Sequence, residues 1–184
     1  SRKSVSLKNY KSTLEVGAYK FKQIIWYFTN LFFFKNPMNI SSGLKVTLLR
    51  LFGAKVGDGV VIKPSVNIKY PWNLYIGNYS WIGEGVWIDN LALVEIGSNV
   101  CISQEAFILC GNHNYKKSTF DLITKPIVLQ DGVWIGAKAI VCGGVVASSH
   151  AVLTVSSVAT DNLLEYSIYK GNPAQKIKER NIES

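Results

Sequence analysis

Two histidines, His113 and His150, are the side chains of this chain best suited to exchanging protons near neutral pH. His113 follows the small polar pair Gly111-Asn112 and stands at the root of a polar stretch, Asn114 to Pro126 (NYKKSTFDLITKP). A ring held there suits general base work on a hydroxyl, which attacks poorly until its proton is taken. His150 lies in ASSHAV, where solvent exposure at a turn accounts for it. Two isolated histidines do not make a catalytic zinc site, which draws three ligands from the protein. The three cysteines, Cys101, Cys110 and Cys142, are odd in number and form no CxxC. They read as buried thiols in a reducing, cytoplasmic setting, not as a disulfide framework.

The element that must hold His113 is a repeat. From Val56 onward an aliphatic residue recurs every six positions, often followed by Gly: Val56, Ile62, Ile68; Ile76, Ile82, Ile88; Ile96, Ile102, Ile108; Leu129, Ile135, Val141; Ala147, Leu153, Ala159. Four positions on sits a small or branched residue, such as Val60, Val86, Ala106, Val133 or Ala151. A hexapeptide period predicts a parallel β-helix, here left-handed. Three hexapeptides make one triangular coil, the aliphatic side chain points inward, and Gly supplies backbone freedom at the corner. A β-sandwich would need turns every 8–12 residues and period-two alternation, which this chain lacks. Two extra residues after Ile88 predict a corner bulge, and residues 114–128 a loop thrown out of the coil. Long loops in compact repeats are usually functional.

The expected organisation is thus an all-β solenoid, a left-handed parallel β-helix over 56–160, after a helical segment (1–55) and before a C-terminal extension (161–184). Helices are expected at 18–34 and 42–53. The second is capped by Ser41 or Ser42, with Leu44, Leu48, Leu49 and Phe52 on one face. The 184 residues, 48% hydrophobic and 17% charged, suffice for one cored domain. A formal charge of +8 suits an anionic partner. Nucleic acid is disfavoured, since no zinc-finger or RNA-recognition pattern occurs. The apolar run Ile24 to Phe34 (IIWYFTNLFFF) is too short to span a bilayer, which needs roughly 20 residues. It reads as a helix packed on the solenoid, or as weak membrane-surface contact.

His113 with its loop, VWIGAKAIV (133–141) and YSIYKGNPAQKIKER (166–180) resemble the hexapeptide-repeat acetyltransferases. LFFFKNP (31–37), LKVTLLRLFGAKVG (44–57), WIGEGVWIDNLA (81–92) and VCISQEAFILCGNHNY (100–115) are similar in particular to the colanic-acid, or exopolysaccharide, biosynthesis acetyltransferases. The resemblance covers nearly the whole chain. It implies acetyl transfer from acetyl-CoA to a sugar acceptor by a homotrimer, with the site between two prisms and no metal. It implies His113 as general base. CoA would lie along Trp134, Ala137, Val155, Thr160, Lys176 and Lys178, and the acceptor beside Asp89, Asn90 and Tyr115. The chain departs from the family where Ala147-Ser148 and Leu153-Thr154 replace the usual IG or VG pairs, and at Val155-Ser156 and Asp161.

From chemistry alone, Asp89 and Asn90 also suit a corner turn, and Lys176, Lys178 and Arg180 a solvated basic tail. Glu84 and Glu105 read as solvated turn residues. An oxyanion donor is expected from a backbone N–H, since no side chain offers itself. The runner-up activities are a sugar N-acetyltransferase and a non-catalytic β-helix scaffold. A carbonic-anhydrase-like β-helix is disfavoured for want of a third histidine.

Overall fold

A computed structural model describes residues 3–183. The repeat becomes a triangular prism with three parallel sheets as faces. The first face stacks Lys55–Val56, Leu74–Ile76, Val94–Ile96, Ile127–Leu129 and Val146–Ala147. The second stacks Val61–Ile62, Trp81–Ile82, Cys101–Ile102, Trp134–Ile135, Val152–Leu153 and Ser167–Gly171. The third stacks Asn67–Ile68, Trp87–Asp89, Phe107–Leu109, Ile140–Cys142 and Val158–Ala159. Each strand is short because one inward residue, flanked by two outward ones, fills a prism side before the chain must turn. The repeat starts align in register, as in Ile62, Ile82, Ile102, Ile135 and Leu153. All of them except the half-buried Val56 are buried. Each such aliphatic side chain is worth roughly 1.5–3 kcal/mol.

The glycines after the repeat starts do a different job from the one expected. A Cβ on Gly77 would lie 2.5 Å from the Gly97 carbonyl carbon, and one on Gly136 2.6 Å from the Val155 nitrogen. They let coils approach. The left-handed backbone falls two residues later, at Tyr79, Asn99, Glu105, Lys138 and His150 among others.

The stretch after Cys110 is more ordered than a loop. Gly111–His113 and Leu122–Thr124 form an antiparallel hairpin with its tip at 114–121, and the first face resumes at Ile127. A period-six pattern does not reveal an antiparallel ribbon. At the other end, Ser167–Gly171 adds a sixth parallel strand to the second face, with Tyr169 in the aliphatic column. Ala174–Glu179 folds back on it antiparallel. Arg180 anchors the end by donating to the Gly132 and His150 carbonyls at 2.8 and 3.0 Å. His150 is half-buried, its ring stacked on Tyr166 at 4.7 Å.

The N-terminal segment closes the prism's open end. Helix α1 (Lys20–Thr29) runs into a π-helical turn, Asn30–Phe34, and helix α2 spans Ser42–Leu51, capped by Ser41, whose hydroxyl accepts from the Leu44 N–H at 3.2 Å. Each face's first strand would otherwise expose an unpaired edge. On the third face, Trp26 donates to the Ile68 carbonyl at 3.0 Å and Asn30 accepts from its N–H. On the second, Ser42 bonds both backbone groups of Ile62, and Lys45 donates to the Asn39, Ile62 and Lys63 carbonyls at 2.7, 3.2 and 3.1 Å. On the first, Arg50 donates to the Val56 and Gly57 carbonyls. The inward side of α2 is therefore Lys45, Val46 and Leu49, and Leu44 is 41% exposed. On α1 the inward stripe is Trp26, Asn30 and Phe34, so Ile25, Phe28, Leu31 and Phe32 stay exposed. No helix among the described residues is long and apolar enough to cross a membrane.

Candidate active site

His113 ends the first strand of the hairpin and shares a side of it with its cross-strand partner Leu122. Its Nδ1 lies 2.9 Å from the Phe120 carbonyl oxygen. A carbonyl can only accept, so Nδ1 carries the proton and, in the neutral ring, Nε2 keeps its lone pair. Phe120 also stacks on the imidazole, with centroids 4.4 Å apart and planes 7° from parallel. Its own φ of 51° is a strained value for a bulky residue. Tyr10 meets the imidazole edge-on at 6.1 Å, and the Ser6 N–H bonds the Ser118 carbonyl, so the N-terminal segment lies against the hairpin. On that side Thr13, Leu14 and Glu15 line a cleft of about 360 Å³ with Leu91, Leu122 and Thr124. On the other side Asn112, Ile123, Lys125, Leu109 and Cys142 line one of about 240 Å³. Phe120, Tyr10 and Lys125 were not singled out from sequence. Phe120 and Tyr10 reach the ring through contacts seven and about a hundred residues away in the chain.

Asp89 is half-buried at the end of its third-face strand, and its Oδ2 lies 3.6 Å from where a Gly111 Cβ would be. Burial holds its carboxyl above the ordinary carboxylate range, opposed by Lys69. Nearby Cys110 is buried, and its thiol is pushed up to about 11, which keeps it protonated. Asn90 takes the corner role, the second of its two expected readings. It is fully buried, its amide nitrogen donates to the Tyr70 and Asn73 carbonyls at 2.6 and 3.1 Å, and its oxygen accepts from the Tyr70 N–H at 2.9 Å. Every polar atom of that amide is engaged in building the corner, so Asn90 has nothing to offer an acceptor. Tyr115, 73% exposed, stands on the hairpin tip.

Of the residues expected along CoA, Trp134, Ala137 and Val155 gather at a different edge, and Thr160 does not. Trp134 stands outside the second face, Nε1 donating to Ser103 Oγ at 2.9 Å, and Val152, Ile168 and Lys178 continue its column by register. Ala137 and Val155 lie one above the other at the corner between second and third faces, where the Ser156 N–H bonds the Ala137 carbonyl. Lys176 is paired with Glu179. Thr160 continues the outer column of Asp89, Leu109 and Cys142 on the third face, its hydroxyl donating to Asp161. The structure thus brings Asp89, Thr160 and the His113 hairpin to one edge of the third face, and Trp134, Ala137 and Val155 to the opposite edge.

No protein-family model matches the chain. It is 34% identical over 164 residues, 89% of this chain and 90% of the relative, to WcaF of Escherichia coli strain K12, provisionally named a colanic acid biosynthesis acetyltransferase. Among solved structures it superposes on a Vibrio cholerae hexapeptide-repeat acetyltransferase complexed with acetyl coenzyme A. That match has a TM-score of 0.79 and 20% identity and covers 97% of this chain and 100% of the other. A galactoside acetyltransferase in complex with coenzyme A gives a TM-score of 0.76 at 21% identity, covering 87% and 81%. The chain belongs to the hexapeptide-repeat acetyltransferases, in the family of the colanic acid biosynthesis enzymes.

Proposed function

We propose that the enzyme transfers acetyl from acetyl-CoA to a sugar hydroxyl in exopolysaccharide synthesis, with His113 as general base. The observation that carries this is the Nδ1 contact to Phe120, which leaves Nε2 free to take a proton. As the hydroxyl oxygen bonds to the thioester carbonyl carbon, its proton passes to Nε2. The tetrahedral intermediate collapses, the C–S bond breaks, and the thiolate leaves, taking that proton back from the imidazolium. A backbone N–H donates to the oxyanion. A hydroxyl needs such a base more than an amine does, which favours O- over N-acetylation. Asp89 and Tyr115 flank the acceptor. Trp134, Ala137, Val155, Thr160, Lys176 and Lys178 serve CoA. Release of free CoA thiol, followed with a panel of sugars, tests the reading. His113→Ala should lower turnover by at least about 10² with an unchanged circular dichroism spectrum. Near wild-type turnover would remove His113 as base, and no turnover in either protein would leave a scaffold.

Since the His113 hairpin and the trio Trp134, Ala137 and Val155 stand on opposite edges of the third face, one chain does not close the site. A homotrimer, in which one copy's hairpin edge meets the next copy's CoA edge, does. Sedimentation at micromolar concentration should give three chains; a monomer would sink the shared site. The same reading puts the reaction in the cytoplasm, where the donor is available.

A further inference from the structure

A third cleft, about 320 Å³, lies two coils below the hairpin, between α1 and the third face. Aromatic rings of Tyr27, Tyr70 and Trp87 line it, as do Lys35 and Lys69 and the amide of Asn67. Tyr27 and Trp87 are 63% and 42% exposed, so their rings are open to a ligand. Neither lysine pairs with a carboxylate among the described residues, and no acidic side chain lines the cleft. Asn67 accepts from Asn30 through its oxygen, and its amide nitrogen has no partner among the described residues. Flat rings, an amide donor and two ammonium groups with no carboxylate in contact match a saccharide that carries phosphate.

The cleft lies along the same face as the His113 hairpin. Trp87 and Asp89 project from the same side of one strand, Lys69 and Tyr70 both act on the Asp89 carboxyl or feel it, and Asp89 abuts Gly111 of the His113 hairpin. The separation is two coil steps, roughly 10 Å at the spacing of neighbouring strands, which is a sugar residue or two. We infer that this cleft holds the phosphorylated end of a glycan acceptor, a glycosyl phosphate or diphosphate, while a hydroxyl further along the same glycan reaches His113. This rests on the acetyl-transfer reading for its second half only.

Ligand-observed saturation-transfer NMR and equilibrium binding test it without turnover. One hexose is presented three ways: free, as its UDP derivative, and as a farnesyl-diphosphate-linked form. Both phosphorylated forms should bind at least about tenfold more tightly than the free sugar. A Lys35→Ala/Lys69→Ala double variant should erase that difference and leave acetyl-CoA affinity unchanged. Preference for the UDP or the farnesyl form names the source, nucleotide or lipid carrier, and either supports the site. Equal binding of free and phosphorylated sugar overturns it. So does weaker acetyl-CoA binding in the double variant, which would give the lysines to CoA. Protection of both lysines from an amine-reactive reagent in the assembled protein would show a second copy covering the cleft, and would also overturn it. If binding follows the pattern and no acetyl is transferred in any arm, the cleft stands and the transfer reading falls.

Discussion

At the scale of single residues, the site depends on polar groups held where water is scarce. Phe120 does two things for His113, fixing its tautomer through the backbone and its plane through the ring. Asp89 is the costlier group. Its carboxyl binds a proton more firmly in the folded chain than in the unfolded one, because burial opposes the charge. Its favourable contribution is therefore complete below the unfolded-state pKa of about 3.9 and is lost as pH rises through the raised folded value. At neutral pH the ionised group weighs against the fold. Asp89→Asn should accordingly raise the melting temperature at pH 7, by about 2 °C or more, and raise it little at pH 3, in calorimetric scans at the two pH values. An equal gain at both would show that charge burial is not the cause. Such a group, kept at a cost to stability beside the His113 hairpin, is what the proposed substrate-facing role of Asp89 requires.

Among the elements, the β-helix was plain in the sequence and its two ends were not. The aliphatic starts repeat because each prism side has room for one inward side chain, so a local pattern carries the global fold. The capping of the open end follows another logic. Lys45 is fully buried on a helix side where amphipathic spacing would place a leucine, because the strand-edge carbonyls of Ile62 and Lys63, and that of Asn39 before the helix, take its ammonium as donor. Burial also pulls its ammonium below the ordinary lysine range. Lys45→Met fills the volume and leaves the Asn39 and Lys63 carbonyls unpaired, while Ile62 keeps the Ser42 hydroxyl, so urea unfolding should show a loss of about 2 kcal/mol or more. A neutral result would mean water replaces the ammonium. For Asn90 the sequence left two readings open for a like reason: at a corner, an Asn that binds a ligand and one that binds the backbone of the coil below have the same local sequence. His113 and the loop position were legible, but the hairpin, Phe120 and Tyr10 depend on contacts no short window contains.

For the molecule as a whole, the surface left uncovered is the outer side of α1. Phe21, Ile24, Phe28 and Phe32 are 74, 56, 50 and 59% exposed, with Lys20, Lys22 and Lys35 beside them. Aromatic rings bordered by lysines suit the surface of an anionic membrane, and one short helix would bind it weakly. In co-sedimentation with anionic vesicles, the protein should pellet in part at low salt and be released at high salt. If it stays in the supernatant at low salt, the membrane has no part, and the helix belongs to a contact between copies. The stacking of coils has another consequence. The cleft at α1 and the ring of His113 are fixed to a scaffold that grows only by whole turns, so the span between them changes only in steps of one turn, roughly 5 Å. The prism is in that sense a ruler with coarse graduations. Inserting or deleting one turn between Ile68 and Phe107 would reset the distance from the α1 cleft to His113, and with it the position on the proposed glycan that reaches the ring, while both ends of the gauge kept their own chemistry.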